Sequence, residues 1–217
     1  MGKKFRITER QLLLVEGKDE CNFFEALLAQ ENIKGVQWMD IGGKDKFPEA
    51  FSQLITNEGF NQVLTIGLVR DAEANKAESA FQSLCDNLQK HHLPVPSTIN
   101  ALNPGPPKKV GIFIMPDNQG AGMLENLCLK TIEGQNIEKC LDDYLSCVST
   151  NMASSEREKF NEPKAKVQAY LAARAPIVNS LGLGAKRGYW DFSHPCFEEI
   201  KTFLHTLFDA DTNGEPA

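Results

Sequence analysis

None of the chain's six cysteines forms a C-x-x-C pair, and its four histidines stand at no metal-ligand spacing. A zinc site and a disulfide frame are therefore both excluded on spacing. Cys21, Cys85, Cys128, Cys140, Cys147 and Cys196 read instead as reduced core thiols, most of them in apolar helical settings, the usage expected of a cytoplasmic protein. Long apolar runs are missing too: none approaches the roughly 20 residues that a membrane span needs, so no membrane partner is expected. Basic residues follow Met1, but no apolar stretch follows them, so no secretory signal is read. Positive charge is short: 23 Lys and Arg face 29 Asp and Glu, a net charge of −6. A protein that holds nucleic acid by phosphates alone shows a basic face; this chain has room only for a local basic rim. No internal repeat or low-complexity block appears in the 217 residues, which suit one domain.

What is present is organised around Leu12-Leu13-Leu14-Val15-Glu16-Gly17. Four consecutive aliphatic residues read as a strand buried on both faces. Phe23, Phe24, Leu27 and Leu28 then recur at helix spacing, with Gly17 expected to allow a tight turn between the two. Glu16 is thereby placed at the carboxyl end of a central strand, the edge where open α/β sheets keep their ligand sites.

The pattern repeats along the chain. Strands are expected over 35–41, 63–69 and 110–115, with helices over 18–31, 44–54, 76–90 and from 123. Residues 92–109 carry five prolines and read as a long loop or an interrupted strand. Beyond 135 the periodicity is helical, over 136–149, 155–173 and 195–208, with 182–190 read as a loop. The expected architecture is α/β: a mainly parallel sheet of four strands or slightly more between helices. The α/β core is expected over 8–133, a helical extension packed on it over 134–209, and a frayed tail over 210–217, after an exposed lead-in over 1–10.

Three strand ends carry acids: Glu16, then Asp71 with Glu73, then Asp117, with Glu125 following in the next helix. In a parallel sheet these ends share one edge. Clustered carboxylates repel and lose solvation unless a cation lies between them. Oxygen-only donors suit a hard ion, Mg²⁺ or Mn²⁺. Any one of these acids alone reads as the N-cap of the next helix; the three ends together favour the metal site. Asp19 and Glu20 complement the dipole of the first helix and take no site role. Lys18, Gly43, Lys44 and Arg70 are candidates for holding phosphate oxygens, and equally for neutralising the adjacent acids. Lys186-Arg187-Gly188-Tyr189-Trp190 reads first as an aromatic anchor for the C-terminal helices, and second as a phosphate-and-stacking patch.

Val15-Glu16-Gly17, Gly42-Gly43 and Val69-Arg70-Asp71-Ala72-Glu73 resemble the TOPRIM domain of topoisomerases, primases and OLD-type nucleases, over about residues 8 to 130. Ile41-Gly42-Gly43-Lys44-Asp45-Lys46-Phe47, Pro116-Asp117-Asn118-Gln119-Gly120 and Gly188-Tyr189-Trp190-Asp191-Phe192 are similar to a TOPRIM-related bacterial group. The resemblance implies a Rossmann-like four-stranded parallel sheet between helices. It also implies Glu16 as general acid or base and Asp71 and Glu73 as Mg²⁺ ligands, with Asp117 and Glu125 as further ligands. Glu73 departs from the family's second aspartate. Tyr144, Tyr170 and Tyr189 lack a topoisomerase motif. The implied activity is phosphoryl transfer, as a nuclease on DNA or RNA. A non-catalytic metal- or nucleic-acid-binding regulatory module and a hydrolase of small phosphorylated molecules are the alternatives. A protein partner or a homo-oligomer is left open.

Overall fold

The computed structural model describes residues 5–103 and 106–209. The expected tail over 210–217 and the first four residues of the lead-in lie outside the described residues.

Strand β1 (Gln11–Val15) pairs in parallel with β2 (Val36–Asp40) on one side and β3 (Thr65–Asp71) on the other. On its far side β3 pairs in parallel with β5 (Lys109–Met115), and the two-residue β4 (Leu102–Asn103) runs antiparallel along β5. The order is β2-β1-β3-β5-β4. The sheet is thus mixed and five-stranded; the stretch expected as a long loop or an interrupted strand is mostly loop, with β4 as its two-residue strand. Because Asp71 stays in register with Met115, β3 runs two residues past its expected end and holds Arg70 and Asp71 within the sheet.

The sheet buries two separate cores. Leu12, Leu14, Ile66, Leu68, Val110, Ile112 and Ile114 point to one face, covered by α2 (Phe47–Ile55) and α3 (Ala77–Lys90). Leu13, Val15, Val69, Phe113 and Met115 point to the other, beneath α1 (Lys18–Gln30) and the C-terminal helices. This is the period-2 alternation of a sheet with both faces covered.

The C-terminal half belongs to that second core. After α4 (Leu124–Leu129) come α5 (Asn136–Asn151), α6 (Ser154–Arg157), α7 (Glu162–Ala172), α8 (Leu181–Lys186) and α9 (Glu198–Phe208). Phe203 of α9 lies 5.4 Å from the ring of Phe113 in β5. The helix expected over 155–173 is divided, because Asn161 caps a new start at the N–H of Lys164 and Pro163 sits in its first turn.

The segment over 182–190 is corrected from loop to helix in its first half. Ser180 caps α8 at the N–H of Leu183, and Asp19 accepts the N–H groups of Leu181 and Gly182 at 3.0 and 2.7 Å. Those bonds reach 162 and 163 residues along the chain, out of range of any local pattern. Gly182 is required there, since a β-carbon would stand 2.1 Å from the Asp19 carbonyl oxygen.

Cys85 and Cys128 are buried, Cys21 and Cys196 half-buried, and none of the six forms a disulfide among the described residues. Cys140 and Cys147 are exposed on α5, so these two are surface thiols and not core ones. Residues 5–10 are mostly exposed but strapped down: the Gln37 side chain accepts from Thr8 and Glu9 and donates to the Arg6 carbonyl. No helix among the described residues is long and apolar enough to cross a membrane.

Candidate active site at the carboxyl edge of the sheet

Glu16 follows β1 directly and stands two residues beyond the Leu14–Leu68 pairing, level with Arg70 in β3. The Arg70 guanidinium accordingly lies 3.2 Å from its carboxylate and also donates to Ser83 at 3.2 Å. Arg70 is thus turned towards the acids of its own chain. Gly17 is extended, with φ −157° and ψ 179°, a conformation open to any residue. The chain bends at Glu16-Gly17 as expected, but without a left-handed glycine. A β-carbon at 17 would instead meet the Glu20 carboxylate at 2.8 Å, so glycine leaves space for Glu20 to fold back beside Glu16.

Asp71 ends β3 and accepts the N–H of Leu124 at 3.0 Å, which fastens the start of α4 over the sheet edge and brings Glu125 with it. Glu16, Glu20 and Asp71 line a small cleft with Arg70, floored by Phe24, Val69, Met115 and Leu124. Its volume of about 10 Å³ is near the least that admits one water-sized particle.

These acids are unsettled as anions. Burial pushes Glu16 from 4.5 to about 7; Arg70 opposes the rise, while Glu20 and Glu73 add to it. Burial also drives Asp71 well up, with the charges of Glu16, Glu125 and Glu20 contributing and the Leu124 N–H opposing. Glu20 and Glu125 are raised by burial in the same way. Lys164 of α7 lowers Glu16, Glu20 and Glu125, so its ammonium is close enough to act on all three.

The remaining acids lie outside the cleft, although Glu73 is close enough for its charge to act on Glu16 and lines the outer cavity with it. Glu73 has a left-handed backbone (φ 57°) and bridges to Gly122 through N–H···O bonds of 2.8 Å each way. Its carboxylate is exposed and meets Lys44 at 2.7 Å. Asp117 accepts from the N–H groups of Gln119 and Gly120 and lies 3.5 Å from Lys130. Lys18 is exposed at the first residue of α1. Gly43 and Lys44, with Asp40, Gly42 and Lys46, line an outer cavity of about 490 Å³ that shares Glu16 with the cleft.

Among the described residues, no three acidic, histidine or cysteine side chains already stand in ligating geometry around one point. The donor chemistry nevertheless suits a hard divalent ion: carboxylates only, crowded by burial, with space for one small particle between them. The set the structure brings together is Glu16, Glu20, Asp71 and Glu125. Glu73 and Asp117 would have to leave their lysines to join it. Sequence reasoning passed over Glu20, although its place one helical turn beyond Glu16 was a legible signal. Lys164 gave none, being 148 positions from Glu16 (164 − 16).

A family model described as "Protein of unknown function (DUF3226)" matches residues 10–209. Among solved structures, the chain is similar to the crystal structure of hypothetical protein PH0156 from Pyrococcus horikoshii OT3. The TM-score is 0.53 at 17% identity, over 92% of this chain and 95% of that one. At that identity the likeness shows a shared fold. No curated protein sequence matches the chain.

Proposed function

This chain belongs to the DUF3226 family, and we propose that it is a TOPRIM-type phosphoryl-transfer enzyme, a nuclease that hydrolyses phosphodiester bonds with Mg²⁺ or Mn²⁺. The observation that carries the reading is the convergence of Glu16, Glu20, Asp71 and Glu125 at one sheet edge, each raised by burial. Enzymes of this kind place such groups where charge must be balanced by a ligand.

Asp71 and Glu20, which line the cleft, and Glu125, whose charge acts on both, are the residues that would hold the ion. A hard divalent ion supplies polarisation of a phosphoryl oxygen and a lower pKa for a bound water. Glu16 borders both the cleft and the outer cavity, so it is the carboxylate that takes the proton of an attacking water. Water oxygen bonds to phosphorus as the bond to the leaving oxygen breaks. Arg70 holds the Glu16 carboxylate in place. Lys164 offsets the cluster's negative charge, and Lys44 with Gly42 and Gly43 borders the cavity from which a phosphate would enter.

The test is cleavage of single- and double-stranded DNA and RNA by purified protein, with and without Mn²⁺. Activity should appear with metal and vanish in Glu16→Gln and Asp71→Asn; activity that persists in both variants sinks the reading. One observation favours the second reading, a regulatory module without turnover: Glu16 and Glu73 already have Arg70 and Lys44 as partners. Mn²⁺ binding with no cleavage of any nucleic acid would select it.

A further inference from the structure

Away from the acid cleft, a cavity of about 1000 Å³ lies between α1, the ends of α7 and α8, and residues 188–193. One wall is an ordered stack. The buried Trp190 ring lies on Tyr170, with centres 4.9 Å apart and planes 23° from parallel. On Tyr170 rests the Arg174 guanidinium, 4.2 Å from its ring centre and 5.8 Å from that of Tyr189.

The polar atoms of the aromatic layers are satisfied inside the protein. The Trp190 N–H donates to the Leu181 carbonyl at 3.0 Å, the Tyr170 hydroxyl to the Tyr189 carbonyl at 3.0 Å, and the Tyr189 hydroxyl to the Pro176 carbonyl at 2.6 Å. Arg174 donates to the Tyr170 hydroxyl and, among the described residues, pairs with no carboxylate. A guanidinium fixed on a ring with free N–H groups is a preformed receptor for a phosphate or carboxylate. Its plane is also one on which a nucleobase stacks.

The other charges set the size of the anion. Lys186 is paired with Glu25 at 2.5 Å. Asp191 accepts from the N–H and hydroxyl of Ser193 at 2.9 and 2.5 Å. Two cations and two carboxylates make a lining with no net charge, which offers a polyanionic strand no attractive field. One phosphate at Arg174 is what it can hold, and the volume lies in the range of small-molecule pockets.

We infer that this groove binds a nucleoside monophosphate, its phosphate on the Arg174 guanidinium and its base against the Arg174 and Tyr189 wall. The inference is independent of the acid cleft. The full chain is titrated with AMP, adenosine, inorganic phosphate, TMP and an eight-residue oligothymidylate, following Trp fluorescence and amide NMR shifts. AMP should shift residues 170–174 and 185–193, with adenosine and inorganic phosphate each binding about ten-fold more weakly. Arg174→Gln should weaken AMP by about ten-fold, and Arg174→Lys should not restore it, because an ammonium has no stacking plane. The wild-type shift map needs no variant, so a poorly folded Arg174→Gln leaves the test intact. No AMP binding at millimolar concentration, shifts confined to 16–20 and 71, or an oligothymidylate that binds far more tightly than TMP would each overturn it.

Discussion

The acids along the sheet edge fall into two groups that differ in environment and not in sequence position. Glu16, Glu20, Asp71 and Glu125 are crowded, and burial raises the pKa of each. Glu73 and Asp117 lie a few residues away, more open to water, each beside a lysine. Standing at a strand end therefore does not by itself place an acid in the cleft. Depth and the company of like charge do, because buried carboxylates crowded together give a cation more to relieve than exposed ones.

The largest expected difference between the groups is in turnover. Glu16→Gln or Asp71→Asn should cost about 10²- to 10⁴-fold in kcat on a cleavable substrate, whereas Asp117→Asn should cost far less. Equal losses would erase the distinction.

The second is in the pH dependence of folding. Glu16 binds its proton more tightly folded, at about 7, than unfolded, at 4.5. Its stabilising contribution is therefore full below 4.5 and is lost as pH rises through 7. The shift of 2.5 units (7 − 4.5) corresponds to about 3 kcal/mol. Denaturant melts at pH 4.5, 6 and 8 in the absence of metal should show this decline, flattened in Glu16→Gln. A stability that rises over this range contradicts the inner group's assignment.

A divalent ion should reverse that loss. At pH 8, Mn²⁺ at a hundred-fold excess over its Kd should restore about 2.7 kcal/mol, read as a higher Tm, and less at pH 5, where Glu16 is protonated. Asp71→Asn should abolish the shift and Asp117→Asn should keep it. The smallest effect belongs to the outer group: the exposed Lys44–Glu73 pair should show little coupling in a double-mutant cycle, and that little should fade with salt.

The α2 and α3 face of the sheet was legible residue by residue, because its helices follow their strands directly and show the 3.6-residue period. The opposite face was legible only in part. α8 contains Gly182, Gly184 and no strong apolar period, and it exists as a helix because Asp19 accepts its first two N–H groups. At the site, Glu16 and Asp71 were visible from strand ends. Glu20 was hidden by its competing role at a helix start. Lys44 neutralises Glu73, one of the two roles expected of it, while the Lys130 partner of Asp117 depends on side-chain reach that no spacing records.

By itself the sequence determined the buried strands, the helices that follow them, and hence the edge on which the acids are gathered, because alternation and turn residues act locally. Only the tertiary structure decided which acids meet. That depended on α4 being tied to Asp71 and on α7 bringing Lys164 close to the cluster, contacts between residues too far apart in the chain for any local pattern to encode.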